Sequence, residues 1–389
     1  MTSELIRLNL DNIGWMGDCL AEHEGERVFV FGGIPGEEVM ARVTSRRRKR
    51  LTARVVEVLS PSENRVDPVC PYYGDCTGCQ WQHIGYEYQL HLKHALIQDA
   101  LAMDQGLTNV TVRDVIPSIS TFGYRNHARF TVGPDGNLGF VNRDTRRFIR
   151  IDECLLMHPW INRTLAMIQG LCGETTQLSI RYGVNTGEYS IQPAMKSADI
   201  PVPTGQKHYE EQLKGMRFRV ASSSFFQVNT PQAERMIELV RQFLSLEGND
   251  LVVDAYAGVA TFAALLAGSA GKVIAIEDSA SAVEDARVNT SNLPNVELLQ
   301  ARTETALAAL EDPPDVLILD PPRAGCLPEA LESVKGNPPR LIVYVSCDPR
   351  ALARDLAKLS NSFDIEELQP LDLFPQTRHI ECVARLSRR

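Results

Sequence analysis

The chain has 389 residues, of which 44% are hydrophobic and 23% charged, with a net charge of −9. This is the composition of a folded globular protein of two or three domains, and it excludes a disordered, collagen-like or uniformly basic chain. No window approaches ~18 uninterrupted apolar residues, and the start MTSELIRLNLDNIGWMGD lacks a signal peptide's apolar run, so a cytoplasmic protein without membrane contact is expected.

Residues 1–60 alternate short apolar pieces with glycine turns. The period-two patterns in RVFVF and RVVEVL predict strands, and four or five of them make a small β-barrel. Between two of these strands lies ARVTSRRRKRLTARV, with Arg42, Arg46, Arg47, Arg48, Lys49, Arg50 and Arg54 and no acid. Six basic residues within nine positions point to phosphate contact despite the acidic total. SPSENRVDP at 60–68 reads as a linker.

Residues 69–225 read as an α+β middle domain. It opens with VCPYYGDCTGCQWQH, which sets Cys70, Cys76 and Cys79 at C-x5-C-x2-C spacing. In a reducing compartment such a cluster binds metal or does chemistry more often than it forms disulfides. Nine cysteines, an odd number, also argue against full pairing. Spacing alone leaves zinc and iron–sulfur open. GYEYQLHLKHALIQDALAMDQG predicts a helix ending at Gly106, and Asp135-Gly136 predicts a hairpin turn. A second basic segment, VNRDTRRFIRIDEC, carries Arg143, Arg146, Arg147 and Arg150.

From about 226 to 389 apolar runs of parallel-strand type alternate with helix-like segments, which predicts a doubly wound sheet. The tail from Phe363 predicts two more strands, an antiparallel edge. The first turn, VVDAYAGVATF, has Gly258 before a helix, and Glu277 ends the next strand, where an acid can accept from a ribose diol. The dinucleotide fingerprint G-x-G-x-x-G is absent. The shorter loop suits S-adenosylmethionine, with Asp254, Glu277 and Asp320 all at strand ends.

LIVYVSCDPRALARDL ends a strand at Cys347 just before a helix, whose N-terminal dipole is expected to favour a thiolate. DPPRAG, at the end of the preceding strand, brings Asp320 and Arg323 to the same edge. Glu381 enters an otherwise apolar strand, where a carboxylate can have a raised pKa and act as a base. A thiol nucleophile, a carboxylate and a methyl-donor site suit methylation of a pyrimidine at C5. That carbon becomes nucleophilic once a thiolate adds at C6.

With these motifs in hand, the whole chain resembles the RNA uracil-5-methyltransferases, in particular the iron–sulfur 23S rRNA type. The resemblance implies a TRAM-like, RNA-binding barrel at 1–60, a central domain with an iron–sulfur site at 69–225, and a Rossmann-like methyltransferase domain at 226–389. It implies a 4Fe–4S cluster on Cys70, Cys76, Cys79 and Cys154, the last in RIDECLLMHP. It also implies S-adenosylmethionine contacts by Gln227 of SSFFQVN and by Asp254, Tyr256, Gly258, Glu277 and Asp320. Cys347 corresponds to the nucleophile and Glu381 of HIEC to the proton-abstracting base. The expected partner of this monomer is RNA, 23S rRNA in the first place and tRNA as its competitor.

The loop departs from the family at 258–260, which reads G-V-A where G-x-G is usual. Ala260 is the one feature that favours a non-catalytic RNA-binding or assembly factor. A DNA cytosine-5 methyltransferase is disfavoured because the cysteine comes one strand too late. A radical enzyme is disfavoured by the C-x5-C-x2-C spacing and the fourth cysteine.

Overall fold

A computed structural model describes residues 4–47 and 50–389. The N-terminal unit is a five-stranded sheet of β1 (Leu5–Asn9), β2 (Cys19–His23), β3 (Glu26–Phe31), β4 (Glu38–Arg47) and β5 (Arg50–Ser60), in the order β1-β4-β5-β3-β2. Its alternating residues bury one face, with Ile6, Leu8, Val28, Val30, Val39 and Ala41 all inside. Asp11 N donates to Leu20 O (2.9 Å) and Leu20 N to Asn12 O (2.7 Å), which ties the chain after β1 to the opposite edge strand.

Next comes α1 (Tyr86–Leu101), five residues short of the expected end at Gly106, where the chain makes a 3-10 turn instead. A second sheet holds β6 (His127–Val132), β7 (Leu138–Val141), β8 (Phe148–Arg150), then, after α2 (Pro159–Ile168), β9 (Gln177–Tyr182) and β10 (Tyr189–Gln192). Its order is β10-β9-β6-β7-β8. The turn between β6 and β7 contains Asp135 (φ 59°) and Gly136 (φ 72°), the left-handed pair the sequence called for. β11 (His208–Leu213) and β12 (Met216–Ala221) form a separate hairpin.

The rest is α3 (Thr230–Leu244), β13 (Leu251–Ala255), α4 (Thr261–Leu266), β14 (Lys272–Glu277), α5 (Ala280–Asn289), β15 (Val296–Gln300), α6 (Thr303–Ala308), β16 (Val316–Leu319), α7 (Pro328–Gly336), β17 (Leu341–Ser346), α8 (Pro349–Leu359), β18 (Phe363–Leu371) and β19 (Glu381–Arg388). The sheet order is β15-β14-β13-β16-β17-β19-β18, parallel except at the last two strands, as the tail predicted. The order reverses between β13 and β16, and such a switch point opens a ligand crevice at the strands' carboxyl ends.

The expected middle segment is not one packing unit. α1 buries Ile97, Ala100 and Leu101 in the core under this sheet, beside Leu352 and Leu356 of α8. The β11–β12 hairpin packs on the other face through Tyr209, Phe218 and Val220. Sequence patterning shows which face is apolar but not which sheet that face meets. Among the described residues no helix is long and apolar enough to cross a membrane.

Candidate active site

Cys347 and Glu381 are 34 positions apart in the chain and are brought together by strand register. β17 and β19 run antiparallel with Ser346 opposite Cys382. Cys347, just beyond the end of β17, therefore lies beside Glu381, the first residue of β19. Glu381 is 4% exposed, which rules out a solvent-facing strand position, while Cys347 stays partly open.

Burial pushes the Cys347 thiol up to about 12; the Glu381 charge adds to this, and Arg323 opposes it by charge and by a hydrogen bond. Burial, with Asp320 behind it, holds the Glu381 carboxyl well above the usual range, again opposed by Arg323. The helix-dipole expectation for Cys347 is corrected here. The first turn of α8 is already capped by Asp348, whose carboxylate accepts from Arg350 N (3.0 Å) and Ala351 N (3.1 Å). Those donors are spent on a carboxylate, and the cation left to favour the thiolate is Arg323. Sequence reasoning quoted Arg323 in its motif without giving it a role. Asp348 had a legible signal, an acid immediately before a proline.

The methyl-donor residues gather around β13. Asp254 is fully buried; its Oδ2 accepts from Ala263 N (2.8 Å) and its Oδ1 has no partner. Burial pushes it up to about 7 against that hydrogen bond, helped by Asp320 and Glu277. Asp320 is likewise pushed up to about 7 by burial. Glu277 accepts from Gly258 N (2.8 Å) and Ser279 N (2.8 Å), so it also shapes the loop. Gly258 sits at φ 56°, and a Cβ added there would meet nothing within 4 Å. Gln227 is half-buried, and its carbonyl accepts from Asn126 Nδ2 (3.0 Å).

Tyr256 takes a left-handed backbone (φ 64°), and burial, with Cys326 nearby, pushes its hydroxyl pKa up. Ala260 is left-handed too (φ 64°) and caps α4. The departure from glycine is therefore a strained residue that the surrounding core holds in place, with the loop intact.

Cys70, Cys76, Cys79 and Cys154 line one cavity of about 310 Å³. Gly78 N donates to Cys76 Sγ (3.3 Å) and Gln82 Nε2 to Cys79 Sγ (3.2 Å). Asn162 of α2 clamps the backbone of Cys154 from both sides (3.0 Å each). Among the described residues no group of three or more His, Cys, Asp or Glu is gathered as the ligands of a metal ion are. His83 faces Tyr73 Oη (2.5 Å) and Gly33 O (3.0 Å).

Two arginines of the basic run have acid partners on other elements. Arg46 pairs with Glu26 (2.9 Å), and Arg54 reaches Asp75 (3.1 Å) and Asp144 (3.2 Å). Arg143 lies over the Phe31 ring at 3.9 Å and donates to Cys79 O (3.2 Å). The two basic segments thus meet at Phe31, next to the cysteine cavity. Arg48 and Lys49 lie outside the described residues.

A doubly wound sheet with acids at the ends of β13, β14 and β16, and a glycine turn over open space, defines a Rossmann-like methyltransferase. The family model described as tRNA (Uracil-5-)-methyltransferase matches residues 206–313 and 313–389. An uncharacterized RNA methyltransferase of Thermosynechococcus vestitus is 31% identical, over 98% of each chain. One from Gloeobacter violaceus is 32% identical over 96% of this chain and 94% of its own. The solved Pyrococcus abyssi tRNA (uracil-54, C5)-methyltransferase, in complex with S-adenosyl-L-homocysteine, superposes with a TM-score of 0.79 at 25% identity, covering 98% of this chain and all of that one. The chain belongs to the RNA uracil-5-methyltransferase family. It is an RNA methyltransferase that uses S-adenosylmethionine.

Proposed function

We propose that the protein methylates C5 of a uridine in RNA, with 23S rRNA as substrate, through a covalent bond between Cys347 and C6. The side-by-side placement of Cys347 and Glu381 at the ends of paired strands carries this reading. Bound S-adenosylmethionine supplies an electrophilic methyl group on a sulfonium. Asp254, Gly258, Glu277 and Asp320 fit it: the space over Gly258 is open, Asp254 Oδ1 lacks a partner, and three carboxylates favour a cation. Gln227 and the backbone of Tyr256 complete the set.

The Cys347 sulfur adds to C6 with its electron pair, and the C5–C6 π electrons make C5 the nucleophile. C5 takes up the methyl group and still bears its proton. Glu381 removes that proton, the electrons re-form C5=C6, and the sulfur leaves as thiolate. Arg323 favours the thiolate at both ends of the cycle. The target nucleotide must leave its stack to reach the partly buried sulfur. Phe225, two residues before Gln227 and 72% exposed, offers a face for a neighbouring base.

The four cavity cysteines fit a 4Fe–4S cluster. A single zinc, at about 2.3 Å from each sulfur, would draw the four into one tight group. Cys70, Cys76, Cys79 and Cys154 would each supply one thiolate to such a cluster from the wall of one cavity. The cluster would fasten residues 70–79 to 154; the methyl transfer is redox-neutral and asks it for no electrons. The N-terminal sheet serves as a small RNA-binding barrel, its basic hairpin facing the same partner.

A tRNA substrate is the second reading, favoured by the full-length likeness to a tRNA enzyme. Labelled S-adenosylmethionine with 23S rRNA and tRNA transcripts separates the two. Label as 5-methyluridine in the rRNA supports the proposal. Label in tRNA alone moves the substrate, and none in either sinks the activity.

A further inference from the structure

Nine residues, Asp372–Ile380, connect β18 to β19 and end directly on Glu381. This turn is held by groups remote in the chain. The amide of Gln89, on α1 and wholly buried, accepts from Gln376 N (3.0 Å) and donates to Gln376 Oε1 (3.0 Å). Gln376 O in turn accepts from Gln80 N and Trp81 N (3.1 Å each), immediately after Cys79. One turn further along α1, Lys93 Nζ donates to Asp372 Oδ1 (2.6 Å) and Phe374 O (3.1 Å), with both charged side chains wholly buried. Gln376 itself is left-handed (φ 67°), a conformation that persists only where its surroundings impose it.

A buried ion pair is a poor source of stability, because desolvation offsets most of the attraction. What such a pair does well is fix one arrangement among alternatives. Here the arrangement fixed is the path of the chain into the base.

We propose that Gln89 and the Lys93–Asp372 pair are positioning residues that hold the Asp372–Ile380 turn and, through it, aim Glu381 at the C5 proton. The inference rests on the reading of Glu381 as base. It makes α1 and the residues after Cys79 part of the machinery for releasing the adduct, while leaving thiolate addition and methyl-donor binding alone.

The test uses the full chain with S-adenosylmethionine and 23S rRNA and tRNA transcripts. Gln89→Ala removes both bonds of the amide clamp, and Gln376→Gly removes only the one to the Gln376 side chain while keeping a residue that tolerates the backbone. Lys93→Met strands a buried carboxylate, and Lys93→Met/Asp372→Asn removes both charges. Expected is a loss of turnover on the order of 100-fold in Gln89→Ala and a smaller loss in Gln376→Gly. Covalent RNA–protein adduct should accumulate on denaturing gels, with S-adenosyl-L-homocysteine affinity unchanged. The double variant should recover the thermal stability lost in Lys93→Met but not the turnover; recovery of both would overturn the positioning role of the pair. Parental turnover overturns the proposal. So does a joint fall of adduct formation, turnover and S-adenosyl-L-homocysteine affinity, which a merely structural role would give. Parental turnover in Glu381→Gln would instead remove the base itself, and this inference with it.

Discussion

The molecule holds two sets of half-buried thiols, and they differ in what surrounds them. Burial pushes both Cys347 and Cys79 up to about 12 and Cys154 to about 11. At Cys347 the neighbours are a carboxylic acid and an arginine. Around Cys79 and Cys154 the other cavity cysteines act on each thiol, and an arginine, Arg143, donates to the Cys79 backbone carbonyl (3.2 Å). A lone thiol with a cation beside it can gain and lose a bond to carbon in each cycle. Four thiols around one cavity repel as thiolates, which is the proposed reason for a multivalent cationic centre there. On the proposed reading, the dense cysteines support the fold and the single cysteine at a strand end reacts.

That contrast can be broken most severely at Cys347. Cys347→Ala should lower methylation by a factor on the order of 10⁶, the scale of losing a nucleophile, in an assay of label transfer to RNA, while the four-thiol cavity is untouched. Glu381→Gln comes next. A general base contributes about 10²–10⁴ in rate, so turnover should drop by that much while RNA remains covalently attached; free RNA and free protein on a denaturing gel would contradict the role.

The acids around the methyl-donor loop sharpen the comparison through pH. Asp254 has its pKa raised from 3.8 to about 7 in the fold. Its contribution is therefore fully present below about pH 4 and lost as pH rises through 7, on the order of 4 kcal/mol if it acted alone. Ligand-free protein should melt at lower temperature at pH 8.5 than at pH 5.5, and Asp254→Asn should reduce that difference; an unchanged slope would show that Asp254 is not the group involved. The smallest effect is expected at Ala260. Relief of a left-handed alanine, about 1–2 kcal/mol, is offset by losing a buried methyl, ~0.8 kcal/mol, and by glycine's greater unfolded freedom, about 0.5–1 kcal/mol. Ala260→Gly should shift stability by less than about 1 kcal/mol in denaturant titration and leave methylation intact. A large gain in activity would mean that G-V-A had disabled the loop.

The residues of the proposed active site could be picked out because they sit where periodicity changes. Cys347, Glu381, Asp254, Glu277 and Asp320 all stand at strand ends, which apolar runs mark clearly. The cavity cysteines were legible as three by spacing and as four only by resemblance, since Cys154 follows 75 positions after Cys79 with no pattern between. What stayed hidden was pairing across distance. Lys93 meets Asp372 279 positions away, and Arg54 meets Asp144 90 positions away. Arg46 and Arg54 look free in the sequence because the acids that pair with them lie on other elements. The dipole assigned to Cys347 failed for a local reason: Asp348, one residue on, takes the same donors.

The central claim is that Cys347 bonds to the RNA base. RNA transcripts carrying 5-fluorouridine test it directly, because after methylation C5 bears fluorine and Glu381 has no proton to remove. Incubation with S-adenosylmethionine, digestion and mass spectrometry should find a methylated fluorouridine attached to the peptide containing Cys347. Methyl transfer to the RNA with no nucleotide on that peptide would contradict the account.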